Sequence, residues 1–224
     1  MKGRAAMYTL TDQILQGIWE TVYMTIASTF FGYILGMPLG FMLTICHKNG
    51  LRPHRMIYRI VDVITNIGRS LPFIILMILV IPVTVFIVGR SYGSTAAIVP
   101  LVLSAAPFIA RLVESSLNEV DRGVIEAAES MGASLWQIMT KVMLVEARTS
   151  LITGATIALS TILGYSAMAG AIGGGGLGAI AIQYGYQRYD AGIMWICVIL
   201  LIALVQIFQV LGMFIARKLD RRIV

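Results

Sequence analysis

Five apolar stretches of membrane-spanning length constrain this sequence more than any other feature. A helix that crosses a membrane needs about 20 mostly apolar residues. Stretches that meet this requirement lie at about residues 18–45, 71–88, 92–110, 149–170 and 191–216. Charged residues make up only 12% of the chain, roughly half of what a soluble domain usually carries. We therefore expect an all-α integral membrane protein whose five transmembrane helices form a single domain over residues 1–224.

The first apolar stretch contains a glycine at every fourth position, at Gly32, Gly36 and Gly40. This spacing places the small residues on one face of a helix, where a second helix can approach closely. We expect the first helix to pack tightly along this face.

Lysine and arginine are unevenly distributed over the segments that join the apolar stretches. Twelve lie on one side of the predicted membrane: Lys48, Arg52, Arg55, Arg59, Arg111, Arg122, Lys141, Arg148, Arg217, Lys218, Arg221 and Arg222. Four lie on the other side: Lys2, Arg4, Arg90 and Arg188. Because cytoplasmic segments are rich in Lys and Arg, this distribution predicts an N-terminus outside and a C-terminus in the cytoplasm.

Two charged residues, Asp62 and Arg69, stand close to the second apolar stretch. They are seven positions apart, so on a helix they share a face and could pair through an intermediate side chain. Charges inside a membrane usually mark pathways or gates. The run 71–88 is already long enough to cross the bilayer, however, and this favours an interfacial anchor role for Arg69.

The stretch 126–137 has the composition of a soluble surface, although apolar runs lie on both sides of it. Glu126-Ala127-Ala128 favours a helix that begins close to the glutamate, where a carboxylate is stabilising. Gly132 is the residue type usually found just past a helix end. Ser134 and Gln137 have the spacing of a capping box. The sequence therefore predicts two short helices joined by a sharp bend, with a left-handed backbone at Gly132.

This stretch resembles the cytoplasmic loop of the permease subunits of ABC importers. That loop carries Glu-Ala-Ala, a glycine six residues after the glutamate, and a later aliphatic-x-Leu-Pro. The matching residues are Glu126, Ala127, Ala128, Gly132, Val142 and Leu144, whereas Val145 replaces the family's proline. The resemblance implies a type I importer fold and a loop, at about 111–148, that docks on a separate ATPase subunit. The implied coupling residues are Glu126, Ala127, Ala128, Gly132 and Ser134. An ordinary capped helix pair is the alternative interpretation.

A run of four glycines at 173–176 invites comparison with a phosphate-binding loop. Such a loop needs Gly-Lys-Ser/Thr after its glycines, but Leu177, Gly178 and Ala179 follow here. The sequence also offers no nucleophile–base pair and no metal-ligand cluster. We therefore expect no catalytic, cofactor or metal site in this chain. It is predicted to be a transport subunit rather than an enzyme, with ATP hydrolysis on a partner chain.

The segments 167–178 and 184–189 are similar to the methionine-import permeases within the ABC family, and the similarity extends over essentially the whole chain. It implies a permease for methionine, in its D- and L-forms, in a bacterial inner membrane. The implied partners are a second copy of the chain, two ABC ATPase subunits, an extracytoplasmic methionine-binding protein or lipoprotein, and membrane lipid. No nucleic acid is expected, because no basic face interleaved with aromatic residues is present.

Tyr165 and Met168, in the fourth stretch, are three residues apart and share a helix face. A methionine thioether adapts well to a thioether substrate, and tyrosine offers a hydroxyl within an apolar wall. In the family, the span after the coupling loop lines the pathway, so the resemblance implies a pathway role for both residues. Packing between helices is the alternative.

Other transport functions remain open from the sequence, namely a permease for another amino acid or small solute, an ATP-independent channel, or a secondary transporter. A secondary transporter is expected to show inverted repeats or carboxylates within the membrane. No repeat is evident, and the deepest acidic residues, Glu20 and Asp62, are expected near span ends. An intramembrane enzyme would need a catalytic pair, which the sequence does not offer.

Overall fold

The computed structural model describes the backbone of residues 2–219 and the side chains of residues 10–219. Over this part of the chain the regular secondary structure is helical, without a strand. The α-helices are α1 (Lys2–Cys46), α2 (Arg55–Ser70), α3 (Phe73–Leu79), α4 (Ile81–Val88), α5 (Ser94–Asn118), α6 (Arg122–Ser130), α7 (Leu135–Gln137), α8 (Leu144–Glu146), α9 (Arg148–Gly170), α10 (Gly176–Ile180) and α11 (Ala191–Leu219). Two π-helical segments, Ile138–Met143 and Ala181–Tyr186, directly follow α7 and α10.

Four helices in the described chain are long and apolar enough to cross a membrane: Leu10–Cys46 within α1, and α5, α9 and α11. They coincide with four of the five predicted stretches. Helix α5 continues to Asn118 and thus extends into the segment 111–148 that was predicted to form the loop. Burial of Val113 and Leu117, each 1% exposed, stabilises this extension because it removes apolar surface from solvent.

The second predicted stretch, 71–88, is not one straight helix. It forms α3 and α4, which are separated at Val80. Pro82 lacks an N–H group, and its ring conflicts with the carbonyl four residues earlier, which disfavours a continuous helix here. A bend of 104° also separates α2 from α3, where Pro72 disfavours helical backbone at Leu71. A fifth span is therefore present only if the bent pair α2–α3 counts as one.

The chain forms two compact units. One contains residues 2–31, 71–104 and 159–208, and the other contains residues 32–70, 105–158 and 209–219. Helices α1, α5, α9 and α11 each contribute residues to both units. The central segment with the predicted coupling motif belongs entirely to the second unit, whereas the glycine-rich segment belongs to the first.

The second unit contains the close helix contact predicted from the glycine spacing. A methyl group built at Gly36 would lie 2.6 Å from the carbonyl oxygen of Ala106, and one at Gly40 would lie 2.7 Å from that of Ala110. These distances are too short for a side chain, so α1 and α5 pack backbone to backbone. The prediction of tight packing along this face is confirmed.

Candidate functional site

Helix α6 carries the predicted coupling motif, and its N-terminus differs from the prediction. The helix begins at Arg122, and the carboxylate of Asp121 accepts the N–H of Gly123 at 2.7 Å. Asp121 is therefore the N-cap, a position at which aspartate is among the preferred residues. Glu126 lies in the second turn, so the expectation that its carboxylate acts at the helix start is wrong. The side chain of Glu126 is exposed instead.

The bend after α6 is a Schellman motif centred on Gly132. The Ala133 N–H donates to the Ala128 carbonyl at 3.1 Å, and the Gly132 N–H donates to the Glu129 carbonyl at 2.9 Å. Gly132 has φ +78°, which is the left-handed conformation that this motif requires. The predicted helix end and backbone conformation are both confirmed. A side chain at Gly132 would meet no other atom within 4 Å.

The capping box predicted at the start of the following helix is also present. The Ser134 hydroxyl accepts the Gln137 N–H at 3.4 Å, and the Gln137 side chain accepts the Ser134 N–H at 2.8 Å. From Ser134 the chain continues through α7, the π-helical segment Ile138–Met143 and α8. Val145, where the ABC permeases usually have proline, lies inside α8 and is 48% exposed.

Exposure divides the residues of this loop into two groups. Ala128 is 4% exposed and packs α6 against the rest of the second unit, whereas Glu126, Ala127 and Ser134 face solvent. Two large apolar side chains beside the bend, Met131 and Trp136, are 81% and 70% exposed. The sequence pattern does not single them out, because an apolar residue in a loop gives no sign of its exposure. Such a surface is suited to contact another protein.

The predicted pathway residues Tyr165 and Met168 have different surroundings in the first unit. The Tyr165 ring stacks on Phe73 of α3, with a centroid distance of 4.9 Å and an angle of 4° between the planes. Met168 is 46% exposed, and Gly164 is exposed one turn earlier on the same face of α9. The structure therefore gives Tyr165 a packing contact and leaves Met168 on an open surface.

The glycine-rich segment is held by two neighbouring side chains of α1. The Glu20 carboxylate accepts the Gly176 N–H at 2.7 Å, and the Thr21 hydroxyl accepts the Leu177 N–H at 2.9 Å. These N–H groups begin α10 and have no partner within that helix. Glu20 lies in the candidate span Leu10–Cys46, which is longer than the about 20 residues that a bilayer requires, so its position near a span end stays a prediction. Its half-buried carboxylate is stabilised by the hydrogen bonds that it accepts from this backbone N–H and from Gln16.

A second polar cluster in long helices surrounds Arg111 of α5. Its guanidinium donates to Asp62 of α2, to Asn66 at 2.9 Å, and to Glu114 at 2.7 Å. The suggestion that Asp62 pairs with Arg69 through an intermediate is wrong, since Arg111 is its partner and Arg69 is exposed. Glu114 is 8% exposed, and its spacing of three residues from Arg111 is typical of a charge pair on a helix.

The carboxylates of these two clusters, Glu20, Asp62 and Glu114, lie in helices that are candidates for membrane spans, alone or as part of a bent pair. The carboxylates of these two clusters have fixed partners, either an arginine or backbone N–H groups. Such pairing explains how the chain tolerates them. Comparison with known proteins identifies the class of transporter.

A family model described as binding-protein-dependent transport system inner membrane component matches residues 32–224. A probable D-methionine transport system permease protein MetI from Vibrio cholerae is 49% identical over 212 residues, which are 95% of this chain and 94% of that protein. The D-methionine transport system permease protein MetI of Escherichia coli K12 is 50% identical over 157 residues, which are 70% of this chain and 72% of that protein.

A solved structure of the MetNI methionine ABC transporter in an inward-facing conformation has the same fold. Its TM-score is 0.94 at 47% identity, and the match covers 95% of this chain and 99% of that chain. The all-helical architecture, the apolar helices and the matched family agree. The chain therefore belongs to the family of binding-protein-dependent transport system inner membrane components, as an ABC transporter permease with the type I fold.

Proposed function

We propose that this chain is the permease subunit of an ABC importer that carries methionine, in its D- and L-forms, through the inner membrane. The observation that carries this proposal is the 49% identity to a probable D-methionine permease over 95% of the chain. Transport is driven by two separate ATPase subunits and fed by an extracytoplasmic binding protein or lipoprotein. Two copies of the chain enclose the pathway.

The loop from Asp121 to Gln137 is the proposed contact with the ATPase. Glu126 and Ala127 are exposed and lie one turn before the exposed Met131, so α6 offers a mixed polar and apolar surface. Ala128 fixes α6 to the permease, and the bend at Gly132 sets its direction. Closure of the ATPase dimer by ATP moves this surface and switches the pathway from inward-facing to outward-facing.

Purification of the tagged full chain tests the importer proposal. We expect a stoichiometric ATPase subunit to copurify, and vesicles that contain the complex and its binding protein to accumulate labelled methionine only with ATP. Unlabelled D- and L-methionine should compete, whereas other amino acids should not. Absence of an ATPase subunit would contradict the importer, and uptake of a different amino acid would contradict only the substrate.

The open surface at Met168 supports a pathway role for this side chain. We expect Met168→Ala to reduce methionine uptake several-fold per assembled complex without lowering thermal stability, because the side chain is 46% exposed and supports little packing. Met213→Ala is the matched control, since Met213 is 48% exposed on α11. Equal uptake by both variants would show that Met168 does not contact the substrate.

We propose that Tyr165, which stacks on Phe73, supports the part of the pathway surface that Met168 forms. Tyr165→Ala should therefore lower uptake and also the free energy of unfolding, by about 2–3 kcal/mol, which is less than for a fully buried ring because Tyr165 is half-buried. Tyr165→Phe keeps the ring, so it separates the two roles. We expect it to retain stability, and any loss of uptake in it measures the hydroxyl alone. Normal uptake in both variants would exclude Tyr165 from the pathway.

A further inference from the structure

A cavity of about 530 Å³ lies at the C-terminal end of α1, within the second unit. Its lining residues are Cys46, His47, Lys48, Pro53, Arg55 and Tyr58. The cavity thus combines apolar surface with two cationic side chains, Lys48 and Arg55, both of which are exposed. This combination suits an amphiphile that has an anionic group.

Hydrogen bonds fix the loop that lines the cavity to the end of α1 and to the start of α2. The Arg52 N–H donates to the Ile45 carbonyl, and the His54 N–H donates to the Cys46 carbonyl, both at 3.1 Å. These bonds satisfy carbonyls at the end of α1, which otherwise lack partners. The Nδ1 atom of His54 then accepts the Ile57 N–H at 3.3 Å in the first turn of α2. The cationic side chains therefore stand on a loop that is fixed to both helices.

The cations of this loop carry no intramolecular counter-charge. None of Lys48, Arg52, Arg55 and Arg59 forms an ion pair with a carboxylate of residues 10–219, where the ion pairs belong to Arg111. A separate cleft of the second unit contains Glu126 and Glu129, and it shares only His47 with the cavity. The positive charge at the cavity is therefore free to bind an external anion.

The position of the cavity favours a lipid over an acidic protein surface. It begins at Cys46, where the candidate span Leu10–Cys46 ends, so it lies at the membrane boundary. The first exposed apolar side chains of α2, Met56 and Ile60, are 69% and 50% exposed. Acyl chains match this apolar surface, whereas an acidic protein would leave it uncovered. We propose that Lys48 and Arg55 bind the phosphate group of an anionic phospholipid, whose chains lie along α2.

Native mass spectrometry of the full chain in detergent tests this site, with dioleoyl phosphatidylglycerol and dioleoyl phosphatidylcholine as the probes. The wild type should bind phosphatidylglycerol more tightly than phosphatidylcholine. The double variant Lys48→Gln/Arg55→Gln should weaken phosphatidylglycerol binding roughly thirty-fold, the loss typical of two cations near an anionic surface. Its binding of phosphatidylcholine should not change.

The control is Arg217→Gln/Lys218→Gln, which removes the same charge from exposed positions of α11. It should bind phosphatidylglycerol as the wild type does. Equal losses in the two double variants, or no preference for phosphatidylglycerol in the wild type, would overturn the proposal. Displacement of the lipid by inorganic phosphate at the same concentration would also overturn it, in favour of a free-anion site. Loss of copurifying ATPase with unchanged lipid binding would make the loop a protein contact instead.

A measurement on the unmodified chain covers the case in which the variant does not fold. Phosphatidylglycerol with a photoactivatable headgroup should label residues within 46–59, as mapped by proteolysis and mass spectrometry. Labelling confined to other segments would refute the site without any substitution. The exchange Lys48→Arg/Arg55→Lys should retain binding, since both cations are kept.

Discussion

Gly132→Val is expected to abolish ATP-driven methionine uptake in vesicles that contain the assembled transporter, although the chain still inserts and folds. The left-handed conformation at φ +78° is a strong outlier for a β-branched residue and costs about 1–2 kcal/mol. Since a side chain at this position meets no neighbouring atom within 4 Å, the effect comes from the backbone. The hydrogen bonds of the Schellman motif must break, and the axis of α6 then points in a different direction relative to the ATPase.

The measurement is uptake together with ATP hydrolysis, each normalised to assembled complex. Basal hydrolysis should persist in Gly132→Val, whereas its stimulation by the binding protein should be lost. Gly132→Asn should retain most uptake, because asparagine tolerates the left-handed conformation. Gly89→Val is the matched control, since Gly89 has φ +80° and also free space around it. Wild-type uptake and stimulation in Gly132→Val, or equal losses in Gly89→Val, would remove the coupling assignment.

Arg111→Met is expected to lower the stability of the second unit strongly. It leaves the carboxylates of Asp62 and Glu114 without their cation. Breaking a fully buried pair in this way costs about 3–5 kcal/mol, and we expect a loss near the lower end because the side chains of Arg111 and Asp62 are 19% and 29% exposed. Thermal unfolding of the purified chain, followed by its helical circular dichroism, measures the effect. Arg69→Met is the control. Arg69 is exposed, and it forms no ion pair with a carboxylate of residues 10–219.

Removing all three charges together separates lost charge pairing from lost packing. The triple variant Arg111→Met/Asp62→Leu/Glu114→Met should recover most of the stability, because replacing every member of a buried charged cluster by apolar residues of similar volume is often nearly neutral. Arg111→Lys should recover only part, since an ammonium group cannot reproduce the planar contacts of a guanidinium. If Arg111→Met melts at the same temperature as Arg69→Met, the cluster does not stabilise the fold.

Features that depend on a few neighbouring residues could be predicted from the sequence. The helix end at Gly132 and the capping box at Ser134 involve bonds that reach no more than five residues along the chain. The close packing at Gly36 and Gly40 follows from helical spacing alone. In contrast, average hydropathy over 71–88 ignores the effect of one proline, so the break before Pro82 was not predicted.

Polar contacts between distant residues could not be predicted in this way. Asp62 and Arg111 are 49 residues apart, and Glu20 and Gly176 are 156 residues apart. Each of these residues has a reasonable local explanation, as a charge at a membrane boundary or a member of a loop. The hydrogen-bond partner of each residue depends on how distant helices pack together. The spacing of neighbouring residues in the sequence does not contain this information.

The bond between Glu20 and Gly176 also sets an order for the biogenesis of the first unit. The ribosome makes Glu20 early, and α1 reaches the membrane long before the Gly176 N–H is synthesised 156 residues later. Until then the carboxylate lacks this donor and depends on Gln16 and water. A nascent chain that stops before Gly176 therefore keeps an incompletely satisfied acid in its first span. Folding of the first unit around Glu20 is therefore completed only after the start of α10 has been synthesised.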